Sequence, residues 1–232
     1  MKCEFTYEHY KECIKSAKKL GFSFYTMHDF LDKKPESKFI LMRHDVDLSL
    51  KSALNIAEIE NSLGISSTYF IRTNGIFDVF SGKNSAIIKK ISELGHEIGI
   101  HYDSDIIAKR DFKKEILSIK TKMEKIIKKR IFGASLHKVK KSGIKEEINK
   151  LNFAEEYLDD LGLEYDAYSD IFIRKMKYIS DSARKWREGC MCSHIKKENK
   201  LCILTHPIWW SSATTSLVTI IEGVVKENNN QL

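Results

Sequence analysis

Proline is nearly absent from this sequence: Pro35 and Pro207 are the only two in 232 residues. With 11 scattered glycines and no Pro/Gly/Ser-rich stretch, nothing marks a linker between two compositional halves, and one domain over residues 1–232 is the simpler reading. No run approaches the roughly 20 apolar residues of a membrane span. The first residues, MKCEFTYEHYKEC, lack the apolar core of a secretory signal, so a cytoplasmic chain is expected. No internal repeat stands out, and the only biased tract is the asparagine run 228–230. Several chemistries lack their sequence marks. There is no Walker loop, no G-x-G-x-x-G after the first strand and no G-x-S-x-G elbow. P-loop nucleotide hydrolysis, dinucleotide-dependent redox chemistry and serine hydrolysis lose ground accordingly.

Cysteine is present in an odd number, five, without a disulfide framework, which fits reduced thiols. Cys190-Met-Cys192-Ser-His194 has the residue types of a metal cluster. Structural zinc sites use two ligand pairs, and no second pair is evident in the sequence, so these read as incidental loop thiols. The net charge of +7 owes much to lysines and arginines between 109 and 130. Phe112, Ile116, Ile119, Met123 and Ile126 interrupt them at helical spacing, so this is a surface helix with a solvated basic face. No aromatic residues interleave with the lysines, which argues against single-stranded nucleic acid.

What is abundant is an alternation of strand and helix signals. Helices are expected at 6–20, 50–63, 84–94, 111–129, 143–151 and 213–226. Strands are expected at 38–43, 67–72, 97–101, 131–137, 178–179 and 201–206. The alternation predicts an α/β fold with a parallel sheet and crossover helices. Polar residues follow the apolar runs with unusual regularity: Arg43-His44-Asp45, Arg72, His101, His137, Asp181 and His206. Four of the eight histidines fall at such positions. In parallel α/β folds the strand C-termini open on one face, where sites are built.

Three clusters carry candidate chemistry. In Arg43-His44-Asp45-Val46-Asp47, carboxylates at i and i+2 of an extended segment share one side, so one can hold a metal while the other acts as a base. Asp47 or Ser49 could instead cap the following helix. His101 ends a strand, with Asp103 and Asp105 just beyond it, a ligand mix suited to a catalytic divalent cation. His96, at the start of that strand, reads as structural. His206-Pro207-Ile208-Trp209-Trp210 sets an imidazole against an aromatic wall. Ser135-Leu136-His137, Asp181 and Trp186-Arg187 supply further polar positions.

These strings, RHDVD at 43–47, STYFIR at 67–72, GHEIGIHYD at 95–103, SLH at 135–137, SDS at 180–182 with WR at 186–187, and LTHPIWW at 204–210, resemble the polysaccharide deacetylase (NodB-homology) superfamily. They look nearest to a branch associated with bacterial surface-polysaccharide gene clusters. The resemblance covers roughly residues 38–210 and implies an irregular (β/α)7 barrel, with the helices at 6–20 and 213–226 packed on it. It implies Asp45 as catalytic base, Asp47 and His101 as metal ligands, and His206 as general acid. The family's second ligand histidine falls on Asp105, so Asp103 or Asp105 is the expected third ligand. Arg43, His44, His137, Asp181, Trp186, Arg187, Trp209 and Trp210 are the expected substrate-binding set.

The function so implied is a hydrolase that uses one divalent metal, zinc first, to remove an N-acyl group from a sugar or sugar-conjugate intermediate of surface-polysaccharide synthesis. Two alternatives stay open: another C–N hydrolysis on the same barrel, such as deformylation, and a degenerate barrel that binds carbohydrate or a partner.

Overall fold

The computed structural model describes residues 3–103, 111–137 and 153–229. The helix expected at 143–151 and the candidate ligand Asp105 lie outside them. In chain order the elements are α1 (Tyr7–Lys19), β1 (Ser23–Tyr25), α2 (Met27–Lys33), β2 (Phe39–Val46), α3 (Leu50–Ser62), β3 (Thr68–Arg72), α4 (Gly82–Glu93), β4 (Glu97–Asp103), α5 (Phe112–Ile127) and β5 (Gly133–His137). There follow α6 (Phe153–Leu161), β6 (Tyr165–Asp166), α7 (Asp170–Ile173), β7 (Lys177–Ser180), α8 (Met191–His194), β8 (Lys200–Thr205) and α9 (Leu217–Asn229). Single 3-10 turns precede α8 and follow β8.

Every strand pair is parallel, and the sheet runs β6-β5-β4-β3-β2-β8-β7, with β1 added beside the first half of β2. This is the expected α/β architecture, a curled seven-strand sheet of the irregular (β/α)7 kind. The short β1, α2, β6, α7 and α8, and the helix α6, are additions to the elements read from sequence; β1, β6, α7 and α8 are too short to show a period.

Strand alternation sorts the sheet's residues into two layers. Even positions of β2 (Ile40, Met42, Val46) join Tyr69, Ile71, Ile98, Ile100, Ala134 and Ile203 in the core between sheet and helices. Odd positions (Phe39, Leu41) join Phe70, Tyr165, Phe172 and Cys202 inside the curl. Tyr165 comes from one end of the sheet and Tyr178, packed on the same cluster, from the other, so the interior is filled from both ends. Gly99 and Gly133 make room there. A Cβ on Gly133 would lie 2.1 Å from the Tyr165 ring, and one on Gly99 would lie 2.5 Å from Phe70.

The basic helix α5 buries Ile116, Met123 and Ile127, with Phe112, Ile119 and Ile126 packed against the core, as its period predicted. Its cations are less uniformly solvated than expected. Lys129 donates to the Ser92 carbonyl at 2.7 Å, Lys122 lies 5.2 Å from the Phe80 ring, and Lys120 pairs with Glu124. No helix among the described residues is long and apolar enough to cross a membrane.

Candidate metal-dependent active site

The inward parity that places Phe39 and Leu41 in the interior carries Arg43 and Asp45 to the C-terminal mouth of the curl. The chain leaves β2 at Asp47, which also turns inward. Ser49 caps α3, accepting from the Ser52 N–H at 3.0 Å, so Asp47 is free of that duty. The register pairs Arg72 with His101 and Asp103 with His137. Thus β2 to β5 deliver Asp45, Asp47, Arg72, His101, Asp103 and His137 to one rim, and β8 adds His206.

At the centre, Asp47 Oδ1 lies 3.2 Å from His101 Nε2 and 3.7 Å from His137 Nε2. One ligand atom from each of these three residues falls within 4.8 Å of the others. The far ring nitrogens are committed. His101 Nδ1 lies 2.9 Å from the Ser135 carbonyl, which can only accept, so Nδ1 carries the proton. His137 Nδ1 is hydrogen-bonded to the Asp103 carboxylate, which also takes Arg72 Nη2 at 3.0 Å. Both rings therefore aim Nε2 at Asp47, the arrangement in which outer partners orient histidine ligands.

Asp47 Oδ1 is buried and has no aligned hydrogen bond. Burial raises the Asp47 pKa, but the imidazoles, His101 first, outweigh it and bring it down to about 2. Burial works against charge on His101, yet Asp45 and Asp47 draw its pKa upward. An orphaned carboxylate oxygen, two oriented imidazoles and a pull toward positive charge fit a divalent cation held by two nitrogens and an oxygen.

Two acid–base groups flank this centre. Asp45, 2% exposed, lies 3.6 Å from His101 Nε2, and both its oxygens accept from Arg43 Nη2 at 3.0 Å. Arg43 is itself fully buried. It donates to Ser135 Oγ and the Ala167 carbonyl and lies 4.6 Å from the Tyr168 ring. On the other side, His206 Nε2 is 3.9 Å from Asp47 Oδ2. Its Nδ1 is 2.6 Å from Asp181 Oδ1, and Asp181 Oδ2 accepts from Trp210 Nε1 at 3.1 Å. Burial opposes protonation of His206, but the hydrogen bond and charge of Asp181, then Asp45 and Asp47, push its pKa up to about 9.

The structure thus brings Asp45, Asp47, His101, Asp103, His137 and His206 together and redistributes the rest of the expected set. Asp103 orients His137 and carries Arg72, while His137, expected among the substrate contacts, completes with Asp47 and His101 the trio whose donor atoms lie within 4.8 Å of one another. Arg43 and Asp181 are buried supports of Asp45 and His206. Trp210 is buried, 4.9 Å from the Tyr10 ring, while Trp209 stays beside His206 at 6.5 Å. Trp186 stacks on Phe5 at 6.3 Å, and Arg187 is exposed.

His44 is not at the rim. Even parity turns it to the helix side, stacked on Tyr69, where its ring nitrogens meet Thr205 Oγ1 at 2.7 Å and Glu60 Oε1 at 3.0 Å. His96, read as structural, lies in the same buried network, 3.7 Å from Glu60 and 3.0 Å from the Ala57 carbonyl. Arg72 and Ser135, absent from the expected set, belong to the site's support. Their inward parity beside His101 and His137 was the available signal.

No protein-family model and no curated protein matches the sequence. Among solved structures, the catalytic domain of peptidoglycan N-acetylglucosamine deacetylase from Eubacterium rectale shares the fold. Its TM-score is 0.54 at 13% identity, over 85% of this chain and 86% of that one. A family 4 carbohydrate esterase from Bacillus anthracis aligns with TM-score 0.46 at 12% identity, over 95% of this chain and 84% of that one. A CE4 family pseudoenzyme from the same organism aligns with TM-score 0.47 at 16% identity; the match covers 85% of this chain and 62% of that one. The chain therefore shares its fold with the catalytic domain of that Eubacterium rectale deacetylase.

Proposed function

We propose that the protein is a metal-dependent hydrolase that removes an N-acyl group, acetyl first, from a sugar or sugar conjugate. The observation that carries this reading is the convergence of His101 Nε2, His137 Nε2 and Asp47 at one point, with Asp45 on one side and the Asp181–His206 pair on the other. The fold shared with a peptidoglycan N-acetylglucosamine deacetylase supports it.

Asp47, His101 and His137 would hold the cation. When bound, it supplies Lewis acidity at the acyl oxygen and lowers the pKa of water. Asp45 takes the proton of the attacking water. Its carboxylate is fixed by Arg43, whose bonds to Ser135 and Ala167 prevent it from swinging into the cleft. His206 holds a proton at Nε2 near neutral pH, because Asp181 sits behind Nδ1. It gives that proton to the leaving nitrogen, which cannot depart as an anion. Each acid–base role is worth about 10²–10⁴-fold. The half-buried Trp209, whose ring lies 6.5 Å from that of His206, is the member of the expected set best placed to meet the sugar.

A nucleotide- or lipid-linked intermediate of surface-polysaccharide synthesis is the proposed substrate, in keeping with a chain whose described cysteines are all unpaired and whose setting we take to be cytoplasmic. The test is acetate release from N-acetylglucosamine-containing oligosaccharides and sugar nucleotides by metal-loaded protein. Parent protein should turn over, and Asp45→Asn and His206→Ala should each lose about 10²–10⁴-fold with metal content unchanged. Ligand binding without release of any acyl group by the loaded parent would leave a binding module in place of a hydrolase.

A further inference from the structure

A second group of metal-ligating side chains lies on the helix side of the sheet. Cys190 and Cys192 sit at the start of α8, after a turn at Gly189, whose φ of +98° lets the chain reverse. The partners that the sequence alone did not reveal come from the other end of the chain: Cys3, and His9 in the first turn of α1. Cys3 Sγ is 3.4 Å from Cys192 Sγ, and His9 Nε2 is 3.2 Å from Cys190 Sγ. One donor atom from each of the four falls within 4.8 Å of the other three. Four donors on a tetrahedral zinc, with Zn–S of about 2.3 Å, stand about 3.6–3.8 Å apart. The two short separations, 3.2 and 3.4 Å, fall a few tenths of an ångström inside that value, and none of the others exceeds 4.8 Å.

The rest of the neighbourhood agrees. His9 is buried, its Nε2 faces the thiols, and its Nδ1 has no hydrogen-bond partner. Glu12 Oε2, one turn along α1, lies 3.8 Å from that Nδ1, placed as the carboxylate behind a zinc-bound histidine. Cys3 is exposed, which gives an ion a path in. Three thiols and an imidazole form the closed donor set of a structural zinc site, unlike the oxygen-containing set at the strand ends.

We propose that Cys3, His9, Cys190 and Cys192 bind a structural zinc ion, separate from the catalytic cation, that clips the N-terminal segment to the β7–β8 connection. The thiol protons leave to solvent as the thiolates engage the ion. The clip has a mechanical purpose. Phe5, between Cys3 and His9, packs at 5.2 Å on Trp210, and Trp210 donates to Asp181, which holds His206. Backbone bonds from Tyr7 N to Ser211 O and from Ser211 N to Phe5 O continue the same seam. Zinc would lock the wall behind the general acid without touching substrate.

Titration of the reduced, metal-free full chain with cobalt(II) alone tests this. The parent should take up two equivalents, one with an intense near-ultraviolet thiolate-to-cobalt charge-transfer band and one without. Cys190→Ser/Cys192→Ser should lose the band and keep the other site; Asp47→Ala should do the reverse. Cys13→Ala should keep both, although Cys13 Sγ lies 3.6 Å from His9 Nε2. Should the double variant fail to fold, Cys3→Ser, a change at an exposed residue that leaves two thiolates and His9, should still lower the band's intensity and the cobalt affinity. A parent without the band, or a Cys3→Ser variant whose band keeps the parent's intensity and cobalt affinity, would overturn the proposal. So would a Cys3–Cys192 disulfide as the ground state of freshly purified, metal-free protein.

Discussion

At the residue scale the centre turns on which groups would touch the proposed cation and which would hold its ligands. His137 and Asp103 are cross-strand partners, so the two have one ligand position to share between them. The geometry gives that position to His137, whose Nε2 faces Asp47, and leaves Asp103 behind Nδ1. His137→Ala should therefore abolish metal retention, as should Asp47→Ala. Asp103→Asn should weaken affinity by about 10–100-fold, the usual cost of an outer partner. Metal titration of the two variants side by side checks this; equal, complete loss in Asp103→Asn with retention in His137→Ala would reverse the roles. The sequence alone left Asp103 or Asp105, two and four residues beyond His101, as the third ligand. The competing histidine arrives from the next strand, through a register that local spacing does not encode.

At the element scale the strand period of two explains both what was legible and what was not. Asp45, Asp47, His101 and His206 were readable because each ends an apolar run. The same rule, applied residue by residue, separates Arg43 and Asp45 from His44, which must face the helices. The tight interior follows from parity as well. Tyr165 crosses over Gly133 and donates to Glu97 Oε1 at 2.7 Å, with no space for a methyl group on Gly133. Gly133→Ala should destabilise the protein by about 1–3 kcal/mol through overpacking. Tyr165→Phe should relieve little of that, since the clash is with the ring. Chemical denaturation of the two single variants and the double variant measures it.

At the scale of the whole molecule, α1, α3, β2, β3 and the start of β4 are tied through one buried carboxylate. Glu60 is fully buried and accepts from Tyr10 at 2.6 Å, Tyr69 at 2.7 Å and Ser67 Oγ, and it faces His44 and His96. Burial raises its pKa, but His44 first, then His96 and Ser67, bring it from 4.5 to about 2. Because the folded pKa is depressed, this stabilisation is complete above about 4.5 and is lost as pH falls toward 2. Glu60→Gln should cost about 3 kcal/mol at neutral pH, and the gap to the parent should close across that acid window. A gap that stays constant down to pH 2 would remove Glu60 as the source. Apart from His96, read as structural, this network was not legible, because Glu60 reads as one more polar residue on an amphipathic helix. The N-terminal contacts were hidden for a related reason: Cys3 and His9 meet Cys190 and Cys192 only once the fold packs the N-terminal segment against the β7–β8 connection.

The account rests on a divalent cation bound by Asp47, His101 and His137, and anomalous diffraction from crystals soaked in zinc, recorded on both sides of its absorption edge, tests it most directly. The account predicts a peak about 2.0–2.2 Å from His101 Nε2, His137 Nε2 and an Asp47 oxygen, well separated from any peak among the cysteines. A map with no peak at the strand ends, or a peak held by Asp103 with His137 turned away, would contradict it.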